Sequence, residues 1–393
     1  MRLLTAYILR EVSVVFFITL TSITLFFMIF GIAKEAVSNG LDLKHIIQLL
    51  PYLLPNALLY AFPATMLFAV SNVYGRMSAS NEIVAVKSLG ISPMVLVWPA
   101  LICSIALSLA TVWVNDIAMS WGFEGIQRVV LNSVEDILLN MLRTQRSYST
   151  RSFSVNVKRV EGRTLIQPIF TFQATDDSPV ATISAREAEL QSKPGSGVLT
   201  IIFRQGTAQI DNTLAEFDVL PRDISLEEAS RKGASSQSPS HMALRVLPER
   251  IYQQQLTIER GEQQLAAQAA YQMMTGDFAG LANPRWAIDR RKLQDQVTQL
   301  QRLRTEPPRR WANGFSCLCF CLIGAPMAIR LRNAEVLTSF FLCFLPILIV
   351  YYPLLATGVD RAKAGAVHPL SVWLANGCLA AWGVWLMRRV IRY

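Results

Sequence analysis

No Gly-x4-Gly-Lys-Ser/Thr phosphate loop occurs in the chain, nor Gly-x-Ser-x-Gly, His-Glu-x-x-His or a paired-cysteine motif. These absences leave no sequence basis for ATP binding by that loop, serine hydrolysis, zinc proteolysis or a zinc ribbon. Gly195 and Gly197 lack a third glycine and stand in a strand turn. The three histidines, His45, His241 and His368, are scattered, so no acid–base constellation can be assembled from them. Charge is sparse too, at 17% of residues against 52% in the hydrophobic set, with a mean hydropathy of +0.33. That balance exceeds the usual soluble one.

The polar middle of the chain, residues 118–310, has no cysteine. All six (Cys103, Cys317, Cys319, Cys321, Cys343, Cys378) fall in apolar runs. Disulfides are therefore not expected to hold the middle together, and the trio at 317–321 has no His or carboxylate near it in sequence to complete a metal site. Small packing thiols are the expected role, and neither metal nor cofactor is expected.

What is present is unevenly placed. Six apolar runs, about Val12 to Ala33, Ile46 to Tyr74, Met94 to Val114, Trp311 to Ile329, Val336 to Thr357 and Leu370 to Met387, are each long enough to cross a bilayer core of roughly 30 Å. The first exceeds a signal-peptide core and no small-residue cleavage pattern follows it, so it is expected to remain as a span. Pro51, Pro55 and Pro63 predict a bent second span. Between their ends the runs hold no Asp, Glu, Lys, Arg or His. Ion-coupled transporters usually keep such groups near the midplane, so transport by this chain would draw its energy from elsewhere.

Basic residues in the short loops orient the spans. With the N-terminus inside, the cytoplasmic face holds Arg2, Arg10, Arg76, Lys87, Arg330, Arg332, Arg388, Arg389 and Arg392, while the short outer loops hold Lys34, Lys44, Arg361 and Lys363. Both termini are then cytoplasmic and residues 118–310 lie outside. The group Arg302, Arg304, Arg309 and Arg310 runs against the bias, but it follows a long translocated domain, where the rule is weak.

The expected organisation is spans one to three over 1–117, an all-β domain over 118–247, a helical insertion over 248–310 and spans four to six over 311–393. Short β-branched and aromatic runs (Phe153 to Val157, Leu165 to Phe172, Ala181 to Ala185, Leu199 to Phe203, Thr207 to Ile210, Glu216 to Leu220) with polar turns suggest a sandwich or roll. From Pro248 to Thr305 the composition turns helical, broken near Thr275 to Pro284, and predicts two amphipathic helices forming a hairpin.

Ser80 to Ser92 lies between the second and third runs. Ser80 is placed to cap a short helix, Glu82 suits its positive end, and Gly90 with Pro93 stops it. Glu82 shares a face with Ala85, Val86 and Leu89. Two readings stand: a capped turn between two spans, or a helix shaped to plug into another protein.

The stretch Val73 to Ser92 resembles the cytoplasmic segment after the second span of the LptF/LptG permeases of lipopolysaccharide export. Tyr7 to Glu11, Ile183-Ser184-Ala185-Arg186 leading to Leu199 to Gly206, and Ala325-Pro326 agree with it in order and spacing. The resemblance implies six transmembrane helices around a periplasmic β-jellyroll in the inner membrane. It implies extraction of lipopolysaccharide or a related glycolipid, and no enzymatic activity in this chain. The implied partners are a cytoplasmic LptB-like ABC ATPase, a second permease subunit (LptF-like, LptG-like or a second copy) and periplasmic LptC/LptA-like proteins, with no nucleic acid. By the same resemblance Glu82, Ile83, Val86, Lys87, Leu89 and Gly90 would contact the ATPase, the first and fifth spans would line the gate, and Lys34 would sit near lipid phosphates. Arg309 and Arg310, at the outer edge of the fourth span, are candidates to join Lys34 there as charge-assisted partners. The stretch Pro248 to Thr305 is longer than the family's usual link. A membrane-anchored scaffold is the alternative, although it gives Ser80 to Ser92 no purpose.

Overall fold

The computed structural model describes residues 2–39, 43–132, 134–149, 153–172, 181–192, 198–210, 213–225, 238–276, 284–331 and 336–392. The chain divides into two compact units, one of Met1–Phe27, Pro55–Ser120 and Met242–Tyr393, the other of Met28–Leu54 and Trp121–His241.

In chain order the helices are α1 (Arg2–Asn39), α2 (Leu43–Ala79), α3 (Glu82–Ser88), α4 (Met94–Ile117), α5 (Phe123–Asn132), α6 (Val134–Gln145), α7 (Leu247–Met274), α8 (Pro284–Gly314), α9 (Ser316–Arg330), α10 (Val336–Pro346), α11 (Tyr352–Lys363) and α12 (Leu374–Arg392). Among the described residues six helical stretches are long and apolar enough to cross a membrane: Arg2–Ala33, Ile47–Ala79, Met94–Ile126, Trp286–Arg330, Leu337–Lys363 and Pro369–Val390. Each apolar run falls within one of these helical stretches to within a residue. α2 is continuous through Pro51, Pro55 and Pro63. The fifth span passes through a π-helical turn, Ile347–Tyr351, between Pro346 and Pro353.

In hydrocarbon, helices gain little from burying apolar surface, so close approach of small residues and polar bonds between helices must hold the first unit. Both are found. A Cβ on Gly383 of α12 would come within 2.9 Å of the Leu322 carbonyl oxygen of α9, and one on Gly314 within 2.2 Å of Val112. Around these contacts one core joins Ile8, Val12, Val70, Tyr74, Ile83, Leu96, Ala325 and Met387, from six helices.

Several helix ends are closed by neighbouring helices. The break at Phe315 starts a new helix, and the Leu318 N–H, in its first turn, donates to Ser108 Oγ at 3.2 Å. The Ala312 carbonyl, in the last turn of α8, accepts from buried Asn376 Nδ2 at 2.8 Å. Tyr74 Oη donates to the Leu96 carbonyl at 2.8 Å, and Ser78 Oγ to that of Ile329 at 2.8 Å. α7 and α8 pack together, with Gln254 Nε2 donating to the Gln296 carbonyl at 3.2 Å.

The second unit holds an antiparallel sheet of β1 (Ser147–Ser149), β2 (Phe153–Asn156), β3 (Arg159–Glu161), β4 (Thr164–Ile166), β5 (Ile169–Phe172), β6 (Ala181–Ser192), β7 (Val198–Ile210) and β8 (Thr213–Ser225). One edge of β6 pairs with β7 along its length. The other pairs first with β5 and then with β4. Leu138, Leu139 and Leu142 of α6 close one core with Val155, Leu165, Phe170, Ile183, Leu190, Ile201 and Phe203. Half-buried Tyr148 packs against it, and burial pushes its phenol pKa up.

Two features of this unit differ from the sequence expectation. α5 and α6 are helical where a β domain was expected from residue 118, because Leu138, Leu139 and Leu142 recur at helical rather than alternate spacing. The expected strands Leu199 to Phe203 and Thr207 to Ile210 are one strand, β7. Inward residues of β6 are Ile183 and Ala185, then Ala188 and Leu190, with Arg186 and Glu187 both exposed. In β7, Arg204 and Gln205 are both exposed, Gln205 having a φ of 51°. The register across the three long strands is unbroken on either side of this line, so alternation reverses phase without any slip.

Candidate functional site

α3 is only seven residues long and depends on its caps. Asn81, at φ 61°, occupies the N-cap in the left-handed region, where Asn is among the few tolerated residues. Ser80 was expected there; instead its Oγ lies 2.9 Å from the Arg76 carbonyl and 2.9 Å from Glu82 Oε1. One proton serves one of these acceptors at a time, so Ser80 finishes α2 and steadies Glu82. At the other end Gly90, at φ 76°, donates to the Lys87 carbonyl at 2.9 Å, and Ile91 to that of Val86 at 3.3 Å. This is a Schellman closure, and it needs the left-handed conformation that glycine adopts without penalty.

The helix has two faces. Ile83 is buried and Val86 packs on the same core, while Lys87 Nζ donates to the Val390 carbonyl of α12 at 3.3 Å. Opposite them Val84 and Leu89 are 48% and 75% exposed, with Ala85 and Ser88 also open. Glu82 is half-buried at the edge between the faces. The expected contact set is therefore divided: Glu82, Leu89 and Gly90 are accessible, whereas Ile83, Val86 and Lys87 are turned toward the bundle. Val84 was missed. The signal for it was available, because it lies opposite the apolar pair 83/86 on a helical wheel.

The expected basic group is divided as well. Arg310 is fully enclosed: its Nη1 donates to Asp116 Oδ1 at 2.7 Å and its Nη2 to the Met242 carbonyl at 2.5 Å. Asp116 Oδ1 also accepts from the Leu244 N–H at 2.7 Å. Arg310 as a lipid-phosphate contact is thus corrected, since its charge is spent on joining α4, α8 and residues 242–244. Arg309 Nη2 lies 3.2 Å from Glu306 Oε2, and Lys363 Nζ of α11 lies 3.3 Å from Oε1 of the same buried carboxylate. Arg309 is 19% exposed. Lys34 lies outside the residues whose side chains are described.

Among the described residues no group of three or more His, Cys, Asp and Glu is placed to hold a metal ion. Cys317, Cys319 and Cys321 are buried, and Thr111 Oγ1 lies 3.4 Å from Cys317 Sγ. These thiols pack helices.

The chain matches the family model described as the lipopolysaccharide export system permease LptF/LptG over residues 6–389. No curated protein matches it.

Proposed function

From the premise that this chain belongs to the LptF/LptG family of lipopolysaccharide export permeases, and is a multi-pass inner-membrane transporter subunit, we propose that α3 is where a separate cytoplasmic ABC ATPase docks. The observation that carries this reading is the outward face of α3. A seven-residue helix with capped ends and a buried inner face holds Val84 and Leu89 in the open, where two apolar side chains gain nothing unless something covers them. Glu82, Ala85 and Gly90 border that patch and complete the proposed contact.

In this reading both termini are cytoplasmic and residues 118–247 form a periplasmic jellyroll-like domain. A second permease subunit faces this one, and lipopolysaccharide or a related glycolipid passes between them toward a periplasmic bridge. Arg309, partly exposed at the end of α8, and Lys34 attract its phosphates. The apolar runs hold no Asp, Glu, Lys, Arg or His between their ends with which to draw on an ion gradient, which supports an ATPase in another chain as the source of energy.

Purification of the complex tests the proposal. Glu82→Lys and Leu89→Arg are expected to release the ATPase while leaving the permease folded. Retention of the ATPase by both variants would remove α3 from the interface.

A further inference from the structure

We propose that α12, clasped to α9, is the rod that carries motion from α3 to the far end of α8, and that Lys87 is the positioning residue at its first joint. This rests on the reading of α3 as the ATPase dock.

The first joint is a charge-assisted bond. Val390 lies in the last turn of α12, where helix carbonyls have no intrahelical partner. The Lys87 ammonium fills that vacancy at 3.3 Å, at the end of the helix where the dipole favours a cation. Ile83, four residues before Lys87, and Met387, three residues before Val390, belong to one core, so the polar bond and an apolar contact lie on the same pair of faces. A push on the outer face of α3 therefore meets α12 directly.

The second joint mirrors the first. Buried Asn376, two residues into α12, donates to the Ala312 carbonyl in the last turn of α8. Between Asn376 and Val390 runs roughly 21 Å of helix at about 1.5 Å per residue. Midway, Gly383 has no space for a Cβ against Leu322, so α12 cannot slide past α9 without separating from it. The far joint lies two residues from Arg310 and six from Glu306, which bind α8 to α4 and α11. Movement at the cytoplasmic dock would arrive where span four meets the outer end of span five.

The test uses the complete complex in proteoliposomes, with ATP hydrolysis and glycolipid extraction measured on the same samples. Lys87→Met is expected to keep the ATPase bound and hydrolysing, while glycolipid extracted per ATP falls about tenfold, the scale of one lost hydrogen bond to a charged group. Lys87→Arg is expected to restore the ratio, which a packing role alone would not, and Asn376→Ala to lower it as Lys87→Met does. Loss of the ATPase from Lys87→Met would make Lys87 a docking contact instead, and an unchanged ratio would leave α12 without a transmitting role; either overturns the proposal. A wild-type complex that binds no ATPase would sink the dock itself, a separate failure. Should Lys87→Met not fold, bio-orthogonal labels at exposed Ser88 and Arg388 decide. Their separation is expected to stay constant through the ATP cycle, and a change on the order of one helical turn, about 5 Å, would overturn the rod.

Discussion

Arg310 and Asp116 meet at 2.7 Å with the guanidinium fully enclosed and the carboxylate only partly so. Asp116 receives the Leu244 N–H on the same oxygen, and Arg310 also donates to the Met242 carbonyl, so one ion pair fixes the point where the chain enters α7. Removing one partner from a buried pair strands the other charge, which costs more than the pair contributes. Arg310→Gln leaves a partly exposed Asp116 that keeps the Leu244 N–H, and is expected to lower stability by about 1.5–3 kcal/mol, read by thermal unfolding in detergent. Asp116→Asn combined with it should cost less than the sum of the two single changes, because the partners share one interaction.

The two faces of α3 should separate in experiment. Val84→Arg is expected to leave the melting temperature unchanged and abolish capture of the ATPase. Ile83→Ala is expected to lower stability by about 2–5 kcal/mol through the cavity it opens in the core. Opposite orderings of the two variants in pull-down and in melting would identify the outer face as the contact. Equal ATPase loss from both at full stability would contradict the assignment of faces.

Gly206 of β7 lies opposite Ala185 of β6. A Cβ there would lie 2.3 Å from the Ser184 carbonyl oxygen and 2.8 Å from Ala185 Cα, both backbone atoms that cannot rotate away. Gly206→Ala is expected to destabilise the second unit by about 1–3 kcal/mol, visible as faster amide hydrogen exchange in β6 and β7. Exchange indistinguishable from wild type would show that the strands spread at no cost.

Thiol chemistry reports on the first unit. Cys378 is exposed, whereas Cys317, Cys319, Cys321 and Cys343 are buried. Cys378 faces out from the middle of the sixth span, where hydrocarbon suppresses the reactive thiolate, so a maleimide should modify it slowly in the folded protein and the buried four only after denaturation. Early modification of Cys319 or Cys321 would mean that α9 is less enclosed than its packing requires.

Spans and their order could be read from the sequence because hydrocarbon admits only long apolar helices, a constraint visible in composition alone. The division of labour within Ser80 to Ser92 could not, because a short helix shows its spacing and hides which side meets a neighbour. Lys87 resembled a surface cation until the end of α12 supplied a carbonyl. Arg310 was misread for a related reason. A run of arginines beside a membrane looks like an anion-binding patch, and Asp116, nearly two hundred positions away, is what turns one of them inward. In the sheet, expected strands ended at Ala185 and Phe203 because alternation stops there. The chain does not stop; it reverses which side chains face the core across Arg186 and Gln205, and period-two reasoning takes a phase reversal for a loop.

β6, β7 and β8 run consecutively and pair only with their neighbours in sequence along β7, so the longest ladders close over short separations. Contacts of that kind form quickly. During synthesis this meander can assemble while α8 to α12 are still being made, and the arriving spans would then find a finished domain already tethered to the first half of the chain.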